Sequence, residues 1–226
     1  MPHQDKGRVW LVTGAAGALG RELVRQLIEA GSDCIALDRD ERGLNKLHDS
    51  LVEDGLAAPA LVPLDLVGAG PEDYRQLAET VEAEFGRLDG IMHNAAVFTA
   101  LRPLLHQPAD EWFQTLQVGL TGPLLLTTTL VHLLPAAPEG QIVFIADRQC
   151  LDTPANWAAY GVVQAARRQM VATLKAEAGT RGPGIVEIDP GPFFSPLHTA
   201  AWPSASAAEL PDASEAAARV LEATGR

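Results

Sequence analysis

A continuously apolar run, Val9-Trp10-Leu11-Val12, passes without a linker into Thr13-Gly14-Ala15-Ala16-Gly17-Ala18-Leu19-Gly20, and this junction restricts the chain more than any other stretch. The run suits a parallel strand buried on both faces, and glycines spaced three apart suit a strand-to-helix turn. Gly14 permits the sharp turn off the strand, Gly17 lets backbone N–H groups approach a pyrophosphate, and Gly20 lets the helix pack close to the sheet. A phosphate would then lie at the positive end of that helix. The trio alone is also compatible with a plain strand-to-helix turn. Eighteen residues after Gly20, a second apolar run, Cys34-Ile35-Ala36-Leu37, ends in Asp38, where a carboxylate would accept hydrogen bonds from an adenosine ribose. An N-cap for the next helix is the alternative for Asp38, though it leaves the spacing unexplained.

The rest of the chain repeats the strand-then-helix unit. A third strand, Leu61-Val62-Pro63-Leu64, ends at Asp65, and from Pro71 a helix places Tyr74, Leu77, Ala78, Val81 and Phe85 on one face. Strands follow at Gly90 to Asn94, Ile142 to Ala146 and Ile185 to Ile188, with helices between them from about Glu111 to Leu134 and from about Asn156 to Ala178. Strands joined by such helices imply right-handed crossovers and an α/β fold of Rossmann type, a doubly wound parallel sheet of six strands. At 226 residues and 47% apolar composition the chain reads as a single domain over 1–226. A stretch rich in Ala, Ser and Pro from Ala200 to Pro211 reads as a mobile loop, and Asp212 with Glu215 as the capping pair of a terminal helix over 212–224.

A net charge of −12 argues against nucleic acid and anionic membranes as partners. The uncharged stretch from Trp112 to Pro138 has the length of a membrane span, but its glycines, prolines and Thr127-Thr128-Thr129 favour a helix buried between the sheet and a partner. Cys34 and Cys150 have neither metal-ligand nor disulfide-framework spacing, so no metal is expected and a reducing compartment suffices. Met1 to Lys6 is polar and shows no secretory h-region, which with the cysteines gives a cytoplasmic reading.

Several motifs together resemble those of the short-chain dehydrogenase/reductases, the SDR superfamily, over nearly the whole chain. Thr13-Gly14-x-x-Gly17-x-x-Gly20 is similar to the family's glycine motif in the spacing of extended and divergent members. Asp65 stands where the family contacts the adenine ring, and His93-Asn94-Ala95-Ala96 where an Asn-Asn-Ala-Gly segment braces the sheet. Pro190-Gly191 followed by Ser195 resembles the segment that holds the nicotinamide carboxamide. Ala155 to Tyr160 resembles the approach to the catalytic tyrosine and, with His93-Asn94, is similar to a bacterial branch of YciK-like oxidoreductases. The resemblance implies a nicotinamide cofactor, and Asp38 favours NAD over NADP because its carboxylate would repel a 2′-phosphate. Relative to the family, the final strand of the sheet is missing.

The resemblance also implies a proton-transfer site, and there the chain departs from the family. Tyr160 matches the catalytic tyrosine, but Gln164 stands for the lysine four residues on, Asp147 for the serine, and Gly119 for the asparagine of the long helix. Two unit charges about 5 Å apart at an effective dielectric of about 20 interact by roughly 3 kcal/mol, about two pKa units. Losing the cation and adding a carboxylate both raise the tyrosine pKa, so weak or absent hydride-transfer activity is expected, as in a pseudoenzyme or partner subunit. An active NAD(H)-dependent alcohol or carbonyl oxidoreductase using Tyr160 through an altered relay is the alternative. Tyr160 also reads as a pocket tyrosine with a hydrogen-bonded hydroxyl, and Asp147 as a surface partner of Arg148 or Arg167 or as a protonated acid. Arg148 is a candidate for the missing cation, though it neighbours the serine position and not the lysine position, and Cys150 reads as structural. Leu124, Leu125, Leu126, Leu130, Leu133 and Leu134 offer more apolar surface than a sheet face covers, so a homo-oligomer, or a hetero-oligomer with an active relative, is expected through the long helix and the Tyr160 helix.

Overall fold

The computed structural model describes residues 7–136 and 139–225; the reading of Met1 to Lys6 falls outside them. Strand β1 (Val9–Thr13) leads into helix α1 (Ala18–Glu29), followed by β2 (Asp33–Asp38), α2 (Glu41–Glu53), β3 (Ala60–Pro63), α3 (Pro71–Phe85) and β4 (Gly90–His93). The long helix is α4 (Ala109–Leu116), one π turn over Gln117–Thr121, and α5 (Gly122–Leu130). Then come β5 (Gln141–Ile145), α6 (Gln149–Asp152), α7 (Ala158–Ala178), β6 (Gly184–Ile188), α8 (Pro196–Ala201) and α9 (Ala213–Ala223). All neighbouring strands are parallel, in the order β3-β2-β1-β4-β5-β6. The chain leaves β1 towards β2 on one side and returns through β4 on the other, which opens a crevice at the C-terminal ends of these strands.

Strand alternation divides the core into two layers. Leu11, Ile35, Ile91 and Phe144 face α3, α5 and α7, while Trp10, Val12, Ala36 and Val143 face α1, α2 and α9. Trp10 is fully buried, and its ring lies so close to β4 that a Cβ on Gly90 would come within 2.0 Å of it. The glycine on β4 is thus what lets the largest side chain of β1 lie flat across the neighbouring strand.

The six-strand parallel sheet matches the expected architecture, with strand ends shifted by at most one residue. The long helix differs in detail: Pro123 lacks the N–H that an α-helix would direct at the Gly119 carbonyl, and the helix widens by one residue there. By length and composition the helix Ala109–Leu133 could cross a membrane, but here Val118, Leu126 and Leu130 are part of the core. Of the six leucines expected to exceed what the sheet covers, Leu126, Leu130 and Leu134 are buried, Leu125 and Leu133 pack against the core, and only Leu124 is exposed. The loop expected over 200–211 begins two residues late, since Ala200 and Ala201 close α8, whose N-cap is Ser195. Asp212 caps α9 by accepting from the Glu215 N–H, as the spacing suggested.

Candidate active site

The β1–α1 turn forms one end of the crevice. Gly14 has φ +69°, and a Cβ on it would come 2.9 Å from the Ala95 Cα, so the turn lies directly against the end of β4. A Cβ on Gly20 would come 2.0 Å from the Gly14 carbonyl oxygen, so the turn also folds tightly over α1. Asn94 locks this junction: its Nδ2 donates to the Thr13 and Gly14 carbonyls at 3.1 Å each, and the Thr13 hydroxyl accepts from the Asn94 and Ala95 N–H groups at 3.1 Å. No side chain caps α1, so the donors of its first turn stay open towards the crevice. This geometry fits the diphosphate of a dinucleotide.

Asp38, at the end of β2, accepts from the Ala16 N–H at 3.0 Å with one oxygen and from the Asp40 N–H at 2.9 Å with the other. It therefore ties the glycine turn to the β2 loop, and the helix cap is Asp40 instead. Asp65 is exposed at the end of β3 and accepts from the Val67 N–H. On the far side, Gly191 has φ +74° and donates to Asp189, Pro190 accepts from Arg219, and the Ser195 hydroxyl accepts from the His198 N–H. A single cleft of about 720 Å³ is lined by Gly14, Gly17, Asp38, Asp65, Asn94, Asp147, Tyr160, Gln164, Pro190, Gly191 and Ser195. Gly20 and Gly119 lie behind its walls.

At the other end of the cleft, β5 delivers Asp147 and α7 delivers Tyr160 and Gln164. The Tyr160 hydroxyl donates to Asp147 Oδ2 at 3.3 Å, and Asp147 Oδ1 accepts from the Gln149 N–H at 3.0 Å. Burial first, and the Asp147 charge second, push the Tyr160 pKa well above its ordinary value. Burial likewise raises the Asp147 carboxyl, against the pull of its hydrogen bonds. The Cys150 thiol is buried and pushed up to about 12, which leaves it protonated and inert, as a structural cysteine is.

One turn beyond Gln164, the Arg167 guanidinium is 2% exposed, so it is no surface partner for Asp147. It donates to the Ile145 carbonyl and, at 2.6 Å, to Gln164 Oε1, which also accepts from the Asp147 N–H at 3.4 Å. A guanidinium has no acceptor, so the amide of Gln164 is held with its oxygen towards Arg167. Arg167 lowers the Tyr160 pKa, but by less than burial and Asp147 raise it. Arg148 donates its backbone N–H to Asp189, and among the described residues its side chain forms no ion pair with Asp147. Sequence reasoning did not bring Arg167 into the site, although its place three residues after Gln164 and seven after Tyr160 puts all three on one helix face.

The family profile for short chain dehydrogenases matches residues 8–205. This chain belongs to the short chain dehydrogenase family. It is similar to the oxidoreductase YciK of Escherichia coli K12, described as uncharacterized, with 30% identity over 205 residues, 90% of this chain and 81% of YciK. A short chain dehydrogenase structure from Pseudomonas syringae superposes with a TM-score of 0.87 and 31% identity, covering 95% of this chain and 88% of that one. A short chain dehydrogenase from Escherichia coli CFT073, complexed with NADPH, gives a TM-score of 0.89 at 29% identity, covering 95% and 89%.

Within this short chain dehydrogenase fold, Gly119 packs against α7 so closely that a Cβ on it would come 2.5 Å from Val163 Cγ1. Val163 is β-branched and buried, so it cannot swing aside cheaply. An asparagine at this position therefore needs room that α7 does not leave. Overpacking of this kind costs about 1–3 kcal/mol, about 2–12 °C in Tm for a chain of this size. Gly119→Asn is expected to lower Tm within that range, and adding Val163→Ala should recover most of the loss in a double-mutant cycle followed by calorimetry. A Gly119→Asn protein as stable as the unmutated one would contradict this packing.

Proposed function

We propose that the chain binds a nicotinamide dinucleotide in this cleft and transfers hydride slowly or not at all. The observation that carries the second half is the Tyr160–Asp147 hydrogen bond in a buried site. A phenol that donates to a carboxylate, with no lysine beside it, resists the ionisation that proton transfer at neutral pH requires. One observation favours the alternative of an active oxidoreductase with a changed relay: Arg167 is a buried cation close enough to pull the Tyr160 pKa down.

The test is an alcohol and carbonyl panel followed by nicotinamide absorbance. The unmutated protein should give slow or undetectable turnover. A variant carrying Gly119→Asn, Asp147→Ser and Gln164→Lys, with Val163→Ala to make room, should gain about 100-fold or more, the scale of general acid–base catalysis. Gln164→Lys alone should gain little, because with Asp147 still in place the new ammonium would pair with that carboxylate instead of stabilising the tyrosinate. Turnover by the unmutated protein that vanishes in Tyr160→Phe would establish the alternative instead.

NAD(H) is the preferred cofactor in this reading, since the Asp38 carboxylate would repel a 2′-phosphate. Arg39 supports NADP(H): it lines the same end of the cleft, and the Escherichia coli CFT073 neighbour is a complex with NADPH. Calorimetry should give tighter binding of NAD(H), with Asp38→Ala narrowing the preference. If NADP(H) binds more tightly and Arg39→Ala removes the advantage, the charge balance is the reverse.

The chain works as an oligomer in this proposal, a homo-oligomer or a pair with an active relative, in a reducing cytoplasmic setting. Support comes from Phe113, Leu124 and Val131 on the long helix and Val162 on α7, which are large apolar side chains left exposed on the two helices expected to meet a partner. Light scattering at micromolar concentration should give at least a dimer, and Phe113→Lys should shift it towards monomer.

A further inference from the structure

We propose that the inner end of the cleft, beyond the nicotinamide position, is a binding chamber for an organic cation, a quaternary ammonium or protonated amine carried on an apolar group. The assignment rests on the reading of this cleft as the ligand site and names the ligand class. Its walls are aromatic. Phe98 meets Tyr160 edge-on at 5.2 Å between ring centroids, Trp202 meets Trp157 edge-on at 5.4 Å, and His198 stacks on Trp202 at 4.6 Å. Phe98, Tyr160, His198 and Trp202 all line the cleft. Aromatic faces attract a cation through the ring quadrupole, most strongly where water is excluded.

The charge of the chamber points the same way. Asp147 lines the cleft, and its hydrogen-bond donors are neutral, the Gln149 and Cys150 N–H groups and the Tyr160 hydroxyl. A half-buried carboxylate without a cationic partner lacks the ion pair that would offset its desolvation. Arg167 does not fill that role, because its guanidinium is directed at the Ile145 carbonyl and Gln164. Asp189 adds a second carboxylate to the lining, held by the Arg148 and Gly191 N–H groups. A ligand cation would supply the partner that the fold withholds.

The groups facing Asp147 set the pH dependence. They are Tyr160 and Arg167 from α7, Cys150 from α6, Asp189 after β6 and His198 from α8. Tyr160 and Cys150 are pushed up and stay neutral, and burial lowers His198, which favours its uncharged form at neutral pH. Falling pH protonates Asp147 and charges His198, and both changes oppose a cation. Affinity should therefore fall as pH falls.

The test is titration calorimetry, backed by tryptophan fluorescence, on the full chain with and without saturating dinucleotide. The probes are benzyltrimethylammonium, its uncharged carbon isostere neopentylbenzene, and benzoate. The cation should bind about tenfold or more tightly than the isostere, benzoate weakest, and Asp147→Asn should abolish the preference. Should Asp147→Asn fail to fold, Trp202→Leu serves, lowering cation affinity severalfold while leaving the isostere nearly unchanged. Equal affinity for cation and isostere while dinucleotide binds would overturn the proposal and leave the cofactor reading intact. A cation preference without dinucleotide binding would support the chamber and sink the cofactor reading. Mutual displacement of cation and dinucleotide would put the cation in the nicotinamide position and overturn the assignment to a chamber beyond it.

Discussion

The contact between the β1–α1 turn and the end of β4 is the constraint on which the other parts of the site depend. Gly14 and Ala95 approach so closely that no side chain fits between them, and Asn94 and Thr13 close the junction with four hydrogen bonds. β1 and β4 are the strands between which the chain reverses its winding, so a tie at their ends sets the floor of the crevice. Asp38 extends that tie sideways to the β2 loop through the Ala16 N–H. The cofactor end of the cleft is thus assembled from backbone and short side chains whose positions are over-determined.

The other end is organised by a different balance. A neutral amide at position 164 stands where the family resemblance implies a cation, and the fold places the guanidinium of Arg167 behind it. The cation is present but turned away from the cleft, bound to a backbone carbonyl. That leaves the Tyr160 hydroxyl with a carboxylate as partner and a pKa pushed upwards, and it leaves the carboxylate without a countercharge. In the proposed readings the consequences are opposite for chemistry and for binding: a phenol so held would resist proton transfer, while the carboxylate beside aromatic walls would favour a cation.

The expectations that rested on backbone periodicity and glycine spacing fared best once the structure was in view. The apolar runs at Val9, Cys34, Gly90, Ile142 and Ile185 all became strands, because a strand buried on both faces leaves a short, unbroken apolar signature. Expectations about surface were less successful. The leucines at 124–134 read as one exposed patch, yet most turn inward, with Leu126, Leu130 and Leu134 four residues apart on the face that packs in the core. The short helix Pro196–Ala201 was not read at all, since Ser195-Pro196 begins it with an N-cap and a first-turn proline but no apolar periodicity follows.

The sequence by itself determined the sheet, the strand-to-helix turn that suits a phosphate, and the replacement of three expected side chains by Asp147, Gln164 and Gly119. The first two are carried by residues adjacent in the chain or separated by a fixed strand or helix period, so spacing reports them; the third is what the family resemblance implies. Only the tertiary structure decided that Arg167 is buried beneath Gln164, that Val163 closes the space beside Gly119, and that His198 and Trp202 line the same cleft as Asp147. Those relations join segments distant in sequence or depend on burial, and the energy of a charge depends on how much water surrounds it. A list of residues does not contain that quantity; the packing of α6, α7 and α8 around the end of β5 does.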